Sequence, residues 1–263
     1  MRSRATKMAD NRRRFLARAG AGAATFFLAG CTSLSEQPWV VSLLSEVEIL
    51  TRHAQRLFAG EHTLAPEFSK KDIAPVFRAN GTLNPDTADY NQHAANGFRD
   101  WRIEVGGLVE HPLSISMAAL RAMPSRTQIT RHDCVEGWSC IGQWTGTPLG
   151  LILAAAKPTS AARYVMFFCA DNMAQPGDPP QFYYESLDLL EATHPQTILA
   201  YKLNGQTLPI EHGAPVRLRA ERQLGYKMPK YIKRIEVVDE FKTVNGGRGG
   251  YWEDQGYSWW GGI

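Results

Sequence analysis

Apolar and polar residues alternate with a period of two in several short stretches of this chain, and in a few others the period lengthens to three or four. Trp101, Ile103 and Val105 alternate with Arg102 and Glu104 and run into Gly106-Gly107, the pattern of a half-buried strand ending in a turn. Ser116 precedes Met117, Leu120 and Met123, which predicts a capped helix stopped by Pro124. Thr127, Ile129 and Arg131 alternate with Gln128, Thr130 and His132, so a strand is expected to close near Asp133. In LGLILAAA, Leu149, Ile152, Leu153 and Ala156 share one helical face, with Thr147 as the expected N-cap and Pro148 as the first helical residue. The apolar run from Arg163 to Cys169 predicts a buried strand leading into Ala170-Asp171-Asn172. Leu187 to Ala192 suits a short helix, and Thr197 to Leu203 a strand entering the Asn204-Gly205 hairpin turn. Val216 and Leu218 oppose Arg217 and Arg219 in a half-buried strand, and Ile232 to Asp239 closes the sheet. Ser33 to Arg56 has apolar residues at mixed spacing, a linker followed by a short helix. Short helices scattered among more numerous strands make the fold class α+β, a mixed β-sheet with short helices.

Composition adds little to that picture, but the distribution of charge changes it. The 263 residues are 44% hydrophobic and 21% charged, enough for a full core in one domain. The formal charge of +3 is misleading, because seven of the 29 basic residues and one of the 26 acidic ones precede Cys31. The remainder has 22 basic against 25 acidic residues, which gives nucleic-acid binding no support. Asn11-Arg12-Arg13-Arg14-Phe15-Leu16 followed by the apolar Ala19 to Ala29 matches a twin-arginine export signal. Leu28-Ala29-Gly30-Cys31 resembles a lipobox, which implies cleavage before Cys31 and lipid attachment to its sulfur. The expected organisation is therefore a signal peptide over 1–30, a linker and N-terminal extension over 31–76, and an enzyme domain over 77–263. Its address is periplasmic, tethered to a membrane surface through lipidated Cys31.

The chemistry concentrates in Arg131 to Leu149, RHDCVEGWSCIGQWTGTPL, where two cysteines, two tryptophans and three glycines lie between a strand and a helix. Cys134 sits just past a strand end, where side chains converge on ligands. A buried cysteine is most often simply a small hydrophobe. Here Gly137, Gly142 and Gly146 permit unusual backbone angles and close approach, while Trp138 and Trp144 supply rigid walls, so Cys134 is a candidate soft metal ligand. Zinc fits poorly, since no second cysteine or histidine pair stands at its usual spacing. Neither C-x-x-C-H nor G-x-G-x-x-G after a strand occurs, so neither c-type haem nor a dinucleotide fold is expected.

With CVEGWS followed by Trp144, Gly146, Pro148 and Leu149, the chain from about Phe77 onward resembles the sulfite oxidase type molybdopterin enzymes. Within them it is similar to the branch of the periplasmic methionine sulfoxide reductase catalytic subunit. The resemblance implies the sulfite oxidase type fold and a molybdopterin cofactor whose molybdenum takes Cys134 as its protein thiolate. It further places Asn80 and Cys169 at pterin-contacting positions, His212 where the family has a pterin-binding asparagine, and Arg217 at the phosphate-region arginine. Met228, Pro229 and Lys230 fall in the cofactor loop. Sulfite oxidases of the family carry Gly-Asn-Arg-Arg after their cysteine, which this chain lacks, so oxygen removal from a sulfoxide is the expected reaction. Oxidation of sulfite or another small oxyanion is the enzymatic alternative, and a non-enzymatic lipoprotein binding module the other. Electrons are expected from a membrane b-type cytochrome. Cys140 reads as structural, with a Cys140 to Cys169 disulfide open in an oxidising compartment. The tail NGGRGGYWEDQGYSWWGGI must pack on something, either near the cofactor or as a clasp.

Overall fold

The computed structural model describes residues 37–60, 62–175 and 177–263, so the export motif at Arg12 to Arg14 and the lipidation residue Cys31 lie outside the described residues. Two units are distinguished, Met1–Ala54 and Gln55–Ile263. The expected short helix near the N-terminus is instead a 22-residue helix, α1 (Pro38–Ala59). Pro38 suits its first turn and no glycine or proline interrupts the chain until Gly60, so nothing stops the helix earlier.

The second unit is built on two five-stranded sheets. In the first, β1 (Arg102–Gly107) pairs with β2 (Leu113–Ser116) on one side and, in parallel, with β10 (Ile232–Val238) on the other. Strands β5 (Tyr164–Asn172) and β6 (Phe182–Asp188) complete the order β2-β1-β10-β5-β6. In the second, β3 (Arg126–Asp133), β4 (Ser139–Pro148), β7 (Ile198–Leu203) and β8 (Gln206–Thr207) lie in sequence order, and β9 (Arg217–Arg219) pairs with β7. The α+β expectation of a mixed sheet with short helices holds. Helices α2 (Ala88–Ala95), α3 (Met117–Ala122), α4 (Leu149–Ala156), α5 (Leu189–Ala192) and α6 (Tyr251–Asp254) are all short.

Local chemistry explains most boundaries. Ser116 caps α3 by accepting a hydrogen bond from the Ala119 amide at 3.1 Å. Gly107, with φ +80°, ends β1 where a Cβ would come within 2.2 Å of the Val237 carbonyl. Two readings are corrected. The N-cap of α4 is Pro148, not Thr147, because Thr147 is buried in β4 and its hydroxyl donates to the Leu120 carbonyl at 2.8 Å. The stretch from Ser139 to Pro148, given no element of its own between strand and helix, is strand β4, in register with β3. Its glycines hid the alternation: a Cβ at Gly142 would meet the Phe77 ring at 2.7 Å, and one at Gly146 the Leu199 carbonyl at 2.3 Å. They are glycines for close packing, and the left-handed conformation belongs to Gly137 alone of the three, with φ +84°.

The main core gathers Trp101, Ile103, Leu120, Leu153, Phe167 and Ile235. A second cluster holds Phe77, Cys140, Trp144, Ile198 and Leu203. Cys134, Cys140 and Cys169 are free, and Cys140 and Cys169 belong to strands of different sheets, so the open disulfide pairing is not made. Strand β9 is buried on both faces rather than half-buried, which puts Arg217 and Arg219 inside the protein.

Candidate functional site

Cys134 opens the tight turn between β3 and β4. Its amide donates to the Trp138 carbonyl at 2.9 Å and its carbonyl accepts from the Gly137 amide at 3.0 Å, a closure that the positive φ of Gly137 permits. The sulfur is left at a cleft lined by Asn80, Thr82, Val135, Glu136, Asp171, Arg217, Met228 and Lys230, among others. Asn80 Nδ2 donates to Cys134 Sγ at 3.5 Å. Six sequence-predicted site residues, Cys134, Asn80, Arg217, Met228, Pro229 and Lys230, thus share one cavity.

Cys169 and His212 are not among the lining residues. Cys169 is buried in the main core, where burial and then Asp171 and Glu185 push its thiol well above the ordinary range. It borders a second groove with Phe168, Phe182 and Arg234. His212 packs edge-on against Phe77 at 5.7 Å and serves the cleft through its carbonyl, which accepts from Arg217 Nη1 at 3.1 Å. The residue at the end of β5 that does line the cleft is Asp171.

Electrostatics separate the buried cations into two kinds. Arg219 pairs with Glu221 at 2.6 Å and donates to His132 Nδ1 at 2.9 Å, both fully buried. Lys227 is shared by Glu185 and Glu253, which raise its pKa against the opposing effect of burial. Arg217 and Lys230, by contrast, hydrogen-bond only to carbonyls. Arg217 donates to His212 and Met228 carbonyls at 3.1 Å each. Lys230 Nζ donates to the carbonyls of Asn80 at 2.7 Å, Glu211 at 3.1 Å and Thr82. Burial, with Arg219, lowers the Arg217 pKa to about 9; burial, with Arg217, lowers that of Lys230 to about 7. Asp171 is 3% exposed with Oδ1 unpartnered, and burial lifts its pKa to about 6 against the pull of its own amide, Lys230 and Thr82.

A soft thiol beside two cations, neither of them hydrogen-bonded to a carboxylate, is a donor set for a phosphate-bearing group that carries a thiophilic metal. The model of the oxidoreductase molybdopterin binding domain matches residues 91–244. The chain belongs to that family. It is an oxidoreductase whose cofactor is molybdenum-loaded molybdopterin, and the fit of the cleft agrees: Cys134 would hold the metal, and Arg217 and Lys230 the phosphate. A putative protein-methionine-sulfoxide reductase subunit YedZ1 of Azospira oryzae is 37% identical over 95% of this chain and 87% of its own length. The protein-methionine-sulfoxide reductase catalytic subunit MsrP of Ralstonia nicotianae is 32% identical over 88% of this chain and 70% of its own length. The sulfane dehydrogenase SoxCD of Paracoccus pantotrophus superposes with a TM-score of 0.48 at 23% identity, over 54% of this chain and 39% of that one.

Several residues of the cleft escaped the sequence reading. Trp252 and Tyr257 of the aromatic tail line the cleft, stacked at 5.3 Å and 28°, so the tail packs at the site itself. Tyr183 lines it as well, its hydroxyl donating to the Tyr226 carbonyl at 2.6 Å. An acid closing an apolar strand was the available signal for Asp171. For Tyr183, within an ordinary buried strand, there was none.

Proposed function

We propose that the protein is an exported, lipid-anchored molybdopterin-dependent reductase that removes oxygen from sulfoxides, methionine sulfoxide in periplasmic proteins foremost. A membrane b-type cytochrome supplies its electrons. The names of the two relatives support this reading, and one observation of the cleft carries it. Where an oxyanion oxidase of this family has cations after its cysteine, Val135 and Glu136 line the cleft. The Glu136 carboxylate accepts from Trp138 Nε1 at 2.9 Å, and its nearest cation, Arg78, stands 4.0 Å off in an exposed pair of little strength. A carboxylate there repels a sulfite dianion and leaves a neutral sulfoxide without that penalty.

When bound, the cofactor supplies two-electron chemistry in which a sulfoxide, two electrons and two protons yield a thioether and water. The chain's own residues bind and orient. Trp252, Tyr257 and Met173 offer an apolar wall suited to a thioether side chain. Asn80 fixes the cysteine sulfur by its amide donor. Asp171 and Lys230, with pKa values of about 6 and about 7, hold exchangeable protons on the cleft wall near neutral pH.

Dye-coupled turnover tests the reading. Reduced viologen should be reoxidised by methionine sulfoxide in the presence of the molybdenum-loaded protein, while sulfite gives little reduction of cytochrome c. Cys134→Ala should lower metal content and turnover by more than about 100-fold, since even partners of a metal ligand are worth 10- to 100-fold. Sulfite oxidation without sulfoxide reduction would sink the assignment.

A further inference from the structure

Helix α1 is amphipathic in an inverted sense. At 100° per residue, Trp39, Val47, Leu50, Leu57 and Phe58 fall within a sector of roughly 100°. All are exposed, Leu50 by 69%, Leu57 by 80% and Phe58 by 88%. The opposite face carries Arg56, which pairs with Asp188 at 2.7 Å and Glu191 at 3.4 Å and lies over the Trp260 ring at 4.7 Å. A surface helix of a globular protein ordinarily turns its apolar stripe to the core and its charges to water. Here Arg56 meets protein, while the apolar sector is exposed along with Glu46 and His53 at its edge.

We propose that this stripe seats α1 on the surface of a lipid bilayer. Three observations select that occupant. The proposed lipid-attachment residue Cys31 precedes Pro38 by seven residues, a span of at most about 25 Å, so a lipidated chain holds the helix at the bilayer. No described helix is long and apolar enough to cross a membrane, so α1 lies along the interface instead of spanning it. Its described charged residues, Glu46, Glu48, Arg52 and Arg56 with His53, nearly balance, so the attraction is apolar and indifferent to lipid charge. The anchor is part of the proposed function, whereas the helix contributes a second contact that stands without it.

The test uses the exported chain with Cys31→Ala behind a twin-arginine signal that is cleaved without lipidation, so that it carries neither signal peptide nor acyl group, mixed with vesicles of phosphatidylethanolamine and phosphatidylglycerol. Flotation should show binding that changes little up to high salt. Trp39 emission should be quenched by brominated lipid, judged against Trp39→Phe. Leu50→Glu with Leu57→Glu should lower partitioning at least about tenfold, since each loses the burial of a leucine. Circular dichroism and molybdenum content should stay at the parent level. The inference is overturned if Cys31→Ala protein does not float at any lipid concentration, or if the double variant binds equally well. It is also overturned if the stripe instead makes a dimer that the double variant breaks. Mass spectrometry of the wild-type protein separates the two claims: absence of acyl chains on Cys31 removes the anchor and leaves the vesicle result to judge the helix.

Discussion

Two residues apart on β9, Arg217 and Arg219 are both buried, and they are treated oppositely by the fold. Arg219 has Glu221 at 2.6 Å, whereas Arg217 has three backbone carbonyls. The same division separates Lys227, held between Glu185 and Glu253, from Lys230, held by three carbonyls three residues later. A buried cation with a carboxylate is already compensated and serves the architecture. One met only by carbonyl dipoles retains the capacity to take an anion, at a cost the fold bears until the ligand arrives. The paired cations lie outside the cleft lining, and the unpaired ones are in it.

The sharpest way to break this comparison is to exchange each arginine for an apolar residue. Arg219→Met strands the buried Glu221 carboxylate and should cost about 3–5 kcal/mol of stability. Arg217→Met strands no carboxylate, so the cofactor-free protein should unfold at the parent's denaturant midpoint or above it, while molybdopterin content falls. Equal losses of stability from both variants would show that the distinction has no energetic meaning.

A smaller effect, visible in pH, sharpens it. Lys230 has a folded pKa of about 7 against 10.5 when unfolded, so between those values the unfolded chain binds more protons and stability rises with pH. Arg217, lowered to about 9, adds to that rise at its upper end. Asp171, raised from 3.8 to about 6, works the other way: the folded state holds the extra proton, and stability falls as pH climbs from 4 to 6. Lys230 thus contributes a rise in the stability of cofactor-free protein above about pH 7, on the order of 3 kcal/mol by about pH 9. Thermal melts of wild type against Lys230→Met should show the rise between about pH 7 and 9 only in wild type. A rise that persists in the variant would mean that Lys230 does not titrate as its surroundings dictate.

Much of this organisation is legible in the sequence, and the parts that are not share a physical cause. Strand β5, helix α3 and the hairpin at Asn204-Gly205 follow from local periodicity and turn chemistry. Cys134 stands out because its neighbours make poor sense as packing. Strand β4 is illegible because Gly142 and Gly146 are specified by Phe77 and Leu199, residues more than fifty positions away. In β3 the buried face is polar: Gln128 donates to Glu221 at 2.8 Å and His132 meets Arg219, so alternation predicts the strand but not which side faces inward. At the end of β5 the resemblance points to Cys169, and the irregular pairing between Phe168 and Asn172 presents Asp171 to the cleft. The difference between Lys227 and Lys230 depends on carboxylates at 185 and 253, and no local pattern encodes such a meeting.

The smallest expected effect concerns the neutral partner in the same cleft. Asn80 brings no charge, only an amide donor at 3.5 Å from the cysteine sulfur, while its carbonyl accepts from Lys230 at 2.7 Å. Asn80→Ala keeps the carbonyl and deletes the donor, so the loop and the lysine should stay in place and only the sulfur loses its orienting contact. Hydrogen bonds to a metal ligand tune affinity by 10- to 100-fold, and a long bond from an uncharged donor belongs at the lower end, about tenfold. Asn80→Asp replaces the donor with a like charge facing a thiolate, and should lose more metal than the alanine variant. Metal retention after dialysis, compared across the three proteins, decides the point. If alanine and aspartate are equivalent, the amide acts only by filling space, and the sulfur is oriented by the Gly137 turn alone.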